Sequence, residues 1–204
     1  MKPQINKKMH PLKHPDQRVG VFIDVQNMYY SAKNLFGAKV NFGNIVTEGT
    51  QSRRLIRAIA YVVSTETKEE QPFFDALYNL GIETKEKPLQ IFYGGEKKAD
   101  WDVGITVDAI RLSPSLDAIV IVSGDGDYVP LVEYLQNQGK QVEVMAFGET
   151  TSSKLIEAAD DFTDLSANKP KFLIQDRRYY AKVKESGKEN GKTVKPEDGK
   201  NIKT

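Results

Sequence analysis

Two short apolar, β-branched runs, VGVFID (19–24) and AIVIV (118–122), each lead through an acidic turn into a helical pattern. That repeated strand-to-helix step narrows the fold more than any other feature of the chain. The first run is followed by QNMYYSAKNLFG, which reads as a helix closed by Gly37. RRLIRAIAYVVS holds a second strand over Ala58 to Val63, with residues 53–57 ahead of it expected as helix. A helix around EEQPFFDALYNLG stops at Gly81, and IETKEKPLQIFYGG is a third extended segment, broken by Pro88. After AIVIV come the helix YVPLVEYLQNQG, the strand QVEVMAF, the short helix SSKLIEAAD and a last short strand in DFTDLS. WDVGITVDAIRL alternates like a strand from Trp101 to Val107 but runs on through Leu112. The alternation of elements assigns it to a helix that starts near Asp100 and ends before Pro114. Strands alternating with helices in this way favour right-handed crossovers and a mostly parallel sheet covered on both faces. The expected fold is α/β, a three-layer α/β/α sandwich.

What the chain lacks removes whole chemistries. It has no Cys, which excludes disulfide staples, thiolate zinc sites and a Cys nucleophile. Both His, His10 and His14, lie in the leading segment, so a His-based triad or His-rich metal site in the core is excluded as well. No window approaches the ~18 consecutive apolar residues of a membrane span, and the basic start has no apolar stretch behind it. A cytoplasmic protein without a membrane partner is expected. The net charge of +1 conceals a split: residues 1–18 carry a surplus of four positive charges and 167–204 a surplus of six, which leaves 19–166 at −9. Basic ends on an acidic body suit a polyanionic partner, although flexible Lys-rich ends are more often plain solubilising extensions.

The remaining chemistry rests on carboxylates. In an open parallel sheet, ligands bind at the carboxyl ends of the strands where the strand order reverses. Asp24 ends the first run, and Asp125 and Asp127 follow the strongest strand in SGDGD, where Gly124 and Gly126 permit a tight backbone. Asp100 and Asp102 stand at the start of the helix after GGEKKADWD. Several carboxylates within a few Å raise one another's pKa unless a cation lies among them. An oxygen-only set without His or Cys calls for Mg²⁺ or Mn²⁺. Each acid alone is also an ordinary strand end, cap or turn residue. Asn27 sits on the first turn of the following helix, Lys97 and Lys98 precede the second acidic group, and Ser123, Thr151 and Ser152 offer hydroxyls to an anion or cap helices. Asp108 lies six residues after Asp102, roughly 120° and ~9 Å away on a regular helix, so it is placed behind Asp102 or in a structural role.

FIDVQNMYY, KKADWDVGITVDA, IVIVSGDGDYVPLVEYLQNQGKQVEVMAF and TSSKLIEAADDF together resemble the NYN domain of the PIN-like nuclease superfamily, in its LabA-like branch. The resemblance covers residues 18–166, with 1–17 as a flexible basic N-terminal segment and 167–204 as a basic, largely disordered C-terminal tail. It implies a Rossmann-like sheet of order 3-2-1-4-5 and a metal-dependent ribonuclease site. The family's acids fall on Asp24, Asp102, Asp125 and Asp127, with Asn27 as their polar companion and Asp108 as a further member. Asp100 is an extra acid beside the motif, so the choice between Asp100 and Asp102 stays open. The expected function is hydrolysis of phosphodiester bonds in single-stranded RNA by metal-activated water, with Asp24 and Asp125 as central ligands and Asp102 and Asp127 flanking. Lys98 is expected to steady a phosphate and Tyr128 to stack on an unpaired base, with Arg53, Arg54 and Arg57 as another candidate contact. A homodimer is among the partners allowed. The competing reading is a nucleic-acid-binding or regulatory module that keeps the metal pocket with little turnover. A Toprim-like site expects Glu where Asp24 stands, and a haloacid-dehalogenase-type site expects D-x-D at the first strand.

Overall fold

The computed structural model describes residues 11–64, 70–88, 90–91, 97–98 and 100–174. Six parallel strands form the central sheet: β1 (Arg18–Asp24), β3 (Arg54–Ser64), β4 (Glu83–Pro88), β7 (Ala118–Val122), β8 (Gln141–Ala146) and β9 (Asp161–Asp164). Their order is β4-β3-β1-β7-β8-β9. This is the expected order with one more strand, β9, added beside the fifth. Short pairs join β2 (Lys39–Val40) to β10 (Leu173–Ile174) and β5 (Gln90–Ile91) to β6 (Lys97–Lys98).

β1 and β7 alternate strictly across the sheet, which is why the layers separate there. Val19, Val21 and Ile23 of β1 join Val120 and Val122 of β7 in one cluster, while Phe22, Ile119 and Ile121 face the other way. The first cluster is covered by α1 (Val25–Phe36), α2 (Phe42–Thr50) and α3 (Gln71–Asn79), through Met28, Ile45 and Leu77 among others. The second is covered by α4 (Asp102–Leu112), α5 (Val129–Asn137) and α6 (Ser153–Ala158), through Ile105, Leu131 and Leu155. Gly37, Gly81 and Gly139 close α1, α3 and α5 with positive φ, the conformation that favours glycine at a helix end. Among the described residues no helix is long and apolar enough to cross a membrane.

Four expectations change. Residues 54–57 are strand, not helix: β3 pairs with β1 from its first residue, Arg54 opposite Arg18. An irregularity opposite Val19 and Gly20 leaves Ile56 unpaired and breaks the alternation that a strand pattern needs. Arg53 is no surface contact either, being 4% exposed and paired with Glu143 at 2.5 Å, with its remaining donors on the Thr50 and Gly49 carbonyls. The tail boundary expected after Ser166 moves outward, because α7 (Lys169–Phe172) and β10 fold back on the domain. Phe172 is buried in the first cluster, and its carbonyl accepts from the Asn41 amide at 2.8 Å. At the other end Lys13, within the segment expected to be flexible, pairs with Glu143 at 2.9 Å and Asp161 at 2.8 Å. Residues 1–10 and 175–204 lie outside the described residues.

Candidate functional site

From β1 the chain moves to one side of the sheet, toward β3, and from β7 to the other, toward β8. The carboxyl ends of β1 and β7 therefore border the crevice where connections diverge. Asp24, the last residue of β1, is 9% exposed and caps α1: its Oδ1 accepts from the Asn27 amide at 3.0 Å. Its Oδ2 accepts from the Ser123 hydroxyl at 3.4 Å. Burial pushes the Asp24 carboxyl up to about 6, and the charges of Asp102 and Asp125 add to the shift against the Asn27 and Ser123 hydrogen bonds.

The SGDGD turn is tied down from within and from α1. Asn27 Oδ1 accepts from the Gly124 amide at 3.0 Å, Ser123 Oγ accepts from the Asp125 amide at 3.2 Å, and Asp125 Oδ1 accepts from the Asp127 amide at 3.0 Å. The glycines are needed for close approach rather than for unusual φ. A Cβ on Gly124 would stand 3.1 Å from the Thr150 carbonyl oxygen, and one on Gly126 would stand 2.8 Å from Ser152 Oγ.

Asp102 reaches the same place from the opposite layer, at the first residue of α4. Trp101 positions it. The indole N–H donates to the Val62 carbonyl at 2.8 Å, the ring stands edge-on to Tyr61, and Gly104 leaves the space the ring occupies. The Tyr128 hydroxyl donates to Asp102 Oδ1 at 3.0 Å. Burial raises the Asp102 pKa against that hydrogen bond, and the charges of Asp125, Asp100 and Asp127 raise it further.

One carboxylate oxygen each from Asp102, Asp125 and Asp127 lies within 4.8 Å of the others, a spacing able to hold a metal ion. Asp24 is not in that triplet; it sits behind it, coupled through Ser123 and through charge. Asn27 acts on the backbone of the turn. Asp108 is turned away, accepting from Tyr61 at 2.9 Å and Lys85 at 2.6 Å. Burial raises its pKa, but those two donors outweigh it and hold the carboxyl below its ordinary value. Asp100 contributes charge beside Asp102, and its carbonyl accepts from Lys87 at 3.1 Å.

Tyr128 cannot stack on a base, which corrects the sequence expectation: its side chain is 0% exposed and its hydroxyl is committed to Asp102. Thr151 and Ser152 likewise serve the turn. The Thr151 hydroxyl donates to the Phe147 carbonyl at 2.8 Å, and the Ser152 amide donates to the Gly124 carbonyl at 2.9 Å. The side chains of Lys97 and Lys98 lie outside the described ones. The parts that sequence reasoning missed are Trp101 and Tyr128 as supports of Asp102. The available signals were a lone Trp directly before the acid, a Gly two residues after the acid, and a Tyr directly after SGDGD.

Comparison with known proteins places this arrangement. The family model described as the NYN domain matches residues 18–166. The chain is 25% identical over 158 residues to the low amplitude and bright protein LabA of Synechococcus elongatus, covering 73% of this chain and 84% of that one. A crystal structure of a protein of unknown function from Vibrio parahaemolyticus superposes with a TM-score of 0.72 at 32% identity, covering 80% of this chain and 100% of that one. The match starts on the first residue of β1, runs past β9 and takes in every acid of the crevice; this chain belongs to the NYN domain family.

Proposed function

We propose that the chain is a metal-dependent ribonuclease that hydrolyses phosphodiester bonds of single-stranded RNA. The observation that carries the reading is the convergence of Asp102, Asp125 and Asp127 within 4.8 Å at the sheet's switch point, with buried Asp24 behind them. The donor set is all oxygen, which suits Mg²⁺ or Mn²⁺. The raised pKa values of Asp24 and Asp102 fit a pocket whose mutual repulsion a cation relieves. When bound, the ion supplies charge stabilisation at the phosphoryl group and a water of lowered pKa.

The chain's own residues arrange the rest. Asp102, Asp125 and Asp127 hold the ion, Tyr128 keeps one oxygen of Asp102 in place, and Asn27 and Ser123 keep the SGDGD turn in register with α1. Asp24, buried behind the three acids, keeps its place through the Asn27 amide on Oδ1 and the Ser123 hydroxyl on Oδ2. RNA as the substrate rests on the family resemblance.

The test is cleavage of labelled single-stranded RNA, and DNA of the same sequence, with Mn²⁺, Mg²⁺ or EDTA. Wild type is compared with Asp24→Asn, Asp102→Asn and Asp125→Asn. The expected result is metal-dependent RNA cleavage lost in all three variants. A second reading, a binding module with little turnover, has one observation in its favour: both Asp24 oxygens already accept hydrogen bonds from the protein. Salt-sensitive RNA binding without cleavage would select it.

A further inference from the structure

α1 buries one face and leaves two aromatic rings on the other. Val25, Met28, Ser31 and Ala32 are buried, whereas Tyr29 is 44% and Tyr30 51% exposed. The two rings meet edge to face with centroids 5.4 Å apart, and the Lys33 ammonium stands 5.4 Å from the Tyr29 centroid. Among the described residues this is the ring pair in which both members are exposed. Neither ring belongs to a core cluster, so packing does not explain it. The helix beneath is the one Asp24 caps and from which Asn27 holds the SGDGD turn. Tyr30 follows Asn27 by three residues, about 4.5 Å along the axis and roughly 60° around it, so Tyr30 is the ring nearer the Asn27 face of α1, while Tyr29 lies roughly 160° around the helix from Asn27.

We infer that Tyr29 and Tyr30 form a stacking platform for unpaired bases, with Lys33 beside it for a phosphate, so that a single strand is held alongside the acids of the crevice. This rests on the nuclease reading for the direction of the strand, and the binding itself does not need turnover. The physical case is the charge of the body. Residues 19–166 carry −9, so phosphate attraction is a weak source of affinity, and base–aromatic stacking supplies affinity that does not depend on that attraction. Stacking also tolerates any base, because each has a π face.

The test is fluorescence anisotropy with the full chain in EDTA, using labelled eight-nucleotide RNA, the same RNA as a duplex, and an abasic ribose-phosphate strand of equal length. Wild type is compared with the paired variant Tyr29→Ala/Tyr30→Ala and with Tyr29→Phe/Tyr30→Phe. Single-stranded RNA affinity should fall about tenfold or more in the Ala pair and hold in the Phe pair. The abasic strand should bind weakly and equally to all three, and the duplex more weakly than the single strand. Unchanged RNA affinity in the Ala pair, an equal loss on the abasic strand, or no RNA binding by wild type would each overturn the inference. RNA binding that depends on the two rings, in a protein that never cleaves with metal, leaves the platform standing and removes the nuclease reading, so the two failures are separable.

Discussion

The Tyr128 hydroxyl donates to Asp102 Oδ1 at 3.0 Å, so the residue that follows the SGDGD turn grips the acid that opens α4. Strand β7 and helix α4 are thereby locked together at the point where their carboxylates meet. Tyr128→Phe keeps the buried ring and removes this hydrogen bond. The stability cost should be about 0.5–1.5 kcal/mol, and Mn²⁺ affinity should fall about tenfold or more. Urea melts and titration calorimetry measure the two, and wild-type Mn²⁺ affinity in the variant would refute the role given to Tyr128.

Asp24 makes metal-free stability depend on pH in an unusual direction. Its folded pKa of about 6 lies above the ordinary 3.8, so the fold binds its proton more tightly than the unfolded chain does. That contribution is fully present below about 3.8 and is lost as pH rises through 6, a swing of about 3 kcal/mol. Asp102 shifts in the same direction. In EDTA, Asp24→Asn should raise the melting temperature at pH 7.5 and raise it less at pH 4.5, and in Mn²⁺ it should abolish cleavage. Equal melting temperatures for the two proteins at pH 7.5 would contradict the assignment.

Gly124→Ala tests the packing of the turn. The new Cβ would meet the Thr150 carbonyl oxygen at 3.1 Å and Thr151 Cα at 3.2 Å, both backbone, so the 148–152 segment has to yield. A loss of about 1–3 kcal/mol is expected, together with weaker Mn²⁺ binding. Thermal melts in EDTA and in Mn²⁺ should both show it, with the larger difference in metal.

Arg53→Met should be severe for stability and silent for chemistry. Removing Arg53 from the buried pair leaves Glu143 with Lys13 at 2.9 Å and Gln141 at 2.7 Å, so the cost should lie at the low end of the range for a broken buried pair, about 3 kcal/mol. The pair sits by the α2 carbonyls of Gly49 and Thr50 rather than at the acidic crevice, so RNA affinity measured below the melting temperature should match wild type. Reduced RNA affinity there would return Arg53 to the list of contacts.

Much of the fold was legible because the central strands β1 and β7 are short, apolar and buried on both faces. AIVIV is β7 residue for residue, and the glycines that close α1, α3 and α5 stand where the pattern stops. Two stretches resisted for local reasons. The bulge at Ile56 breaks the alternation of β3, and α2 carries Gly43 and Gly49 among β-branched residues, so its helical period is faint. The site was legible as a set of residue types at strand ends, since an acid after a buried strand followed by a helix can emerge only at the sheet's carboxyl edge.

Local patterns in the chain thus set the layer architecture and the edge on which the acids gather. Which of those acids meet, and which are already engaged, follows from how the elements pack. Asp102 joins Asp125 and Asp127 because Trp101 and Tyr128 hold α4 against β3 and β7. Asp108, on the same helix, is taken by Tyr61 and Lys85, and Asp24 withdraws into a cap. Tyr128 disappears into the core while Tyr29 and Tyr30 face solvent. Spacing along one strand or helix is a local property written in the chain. The distance between side chains on different elements depends on how those elements pack, and no single segment carries that information.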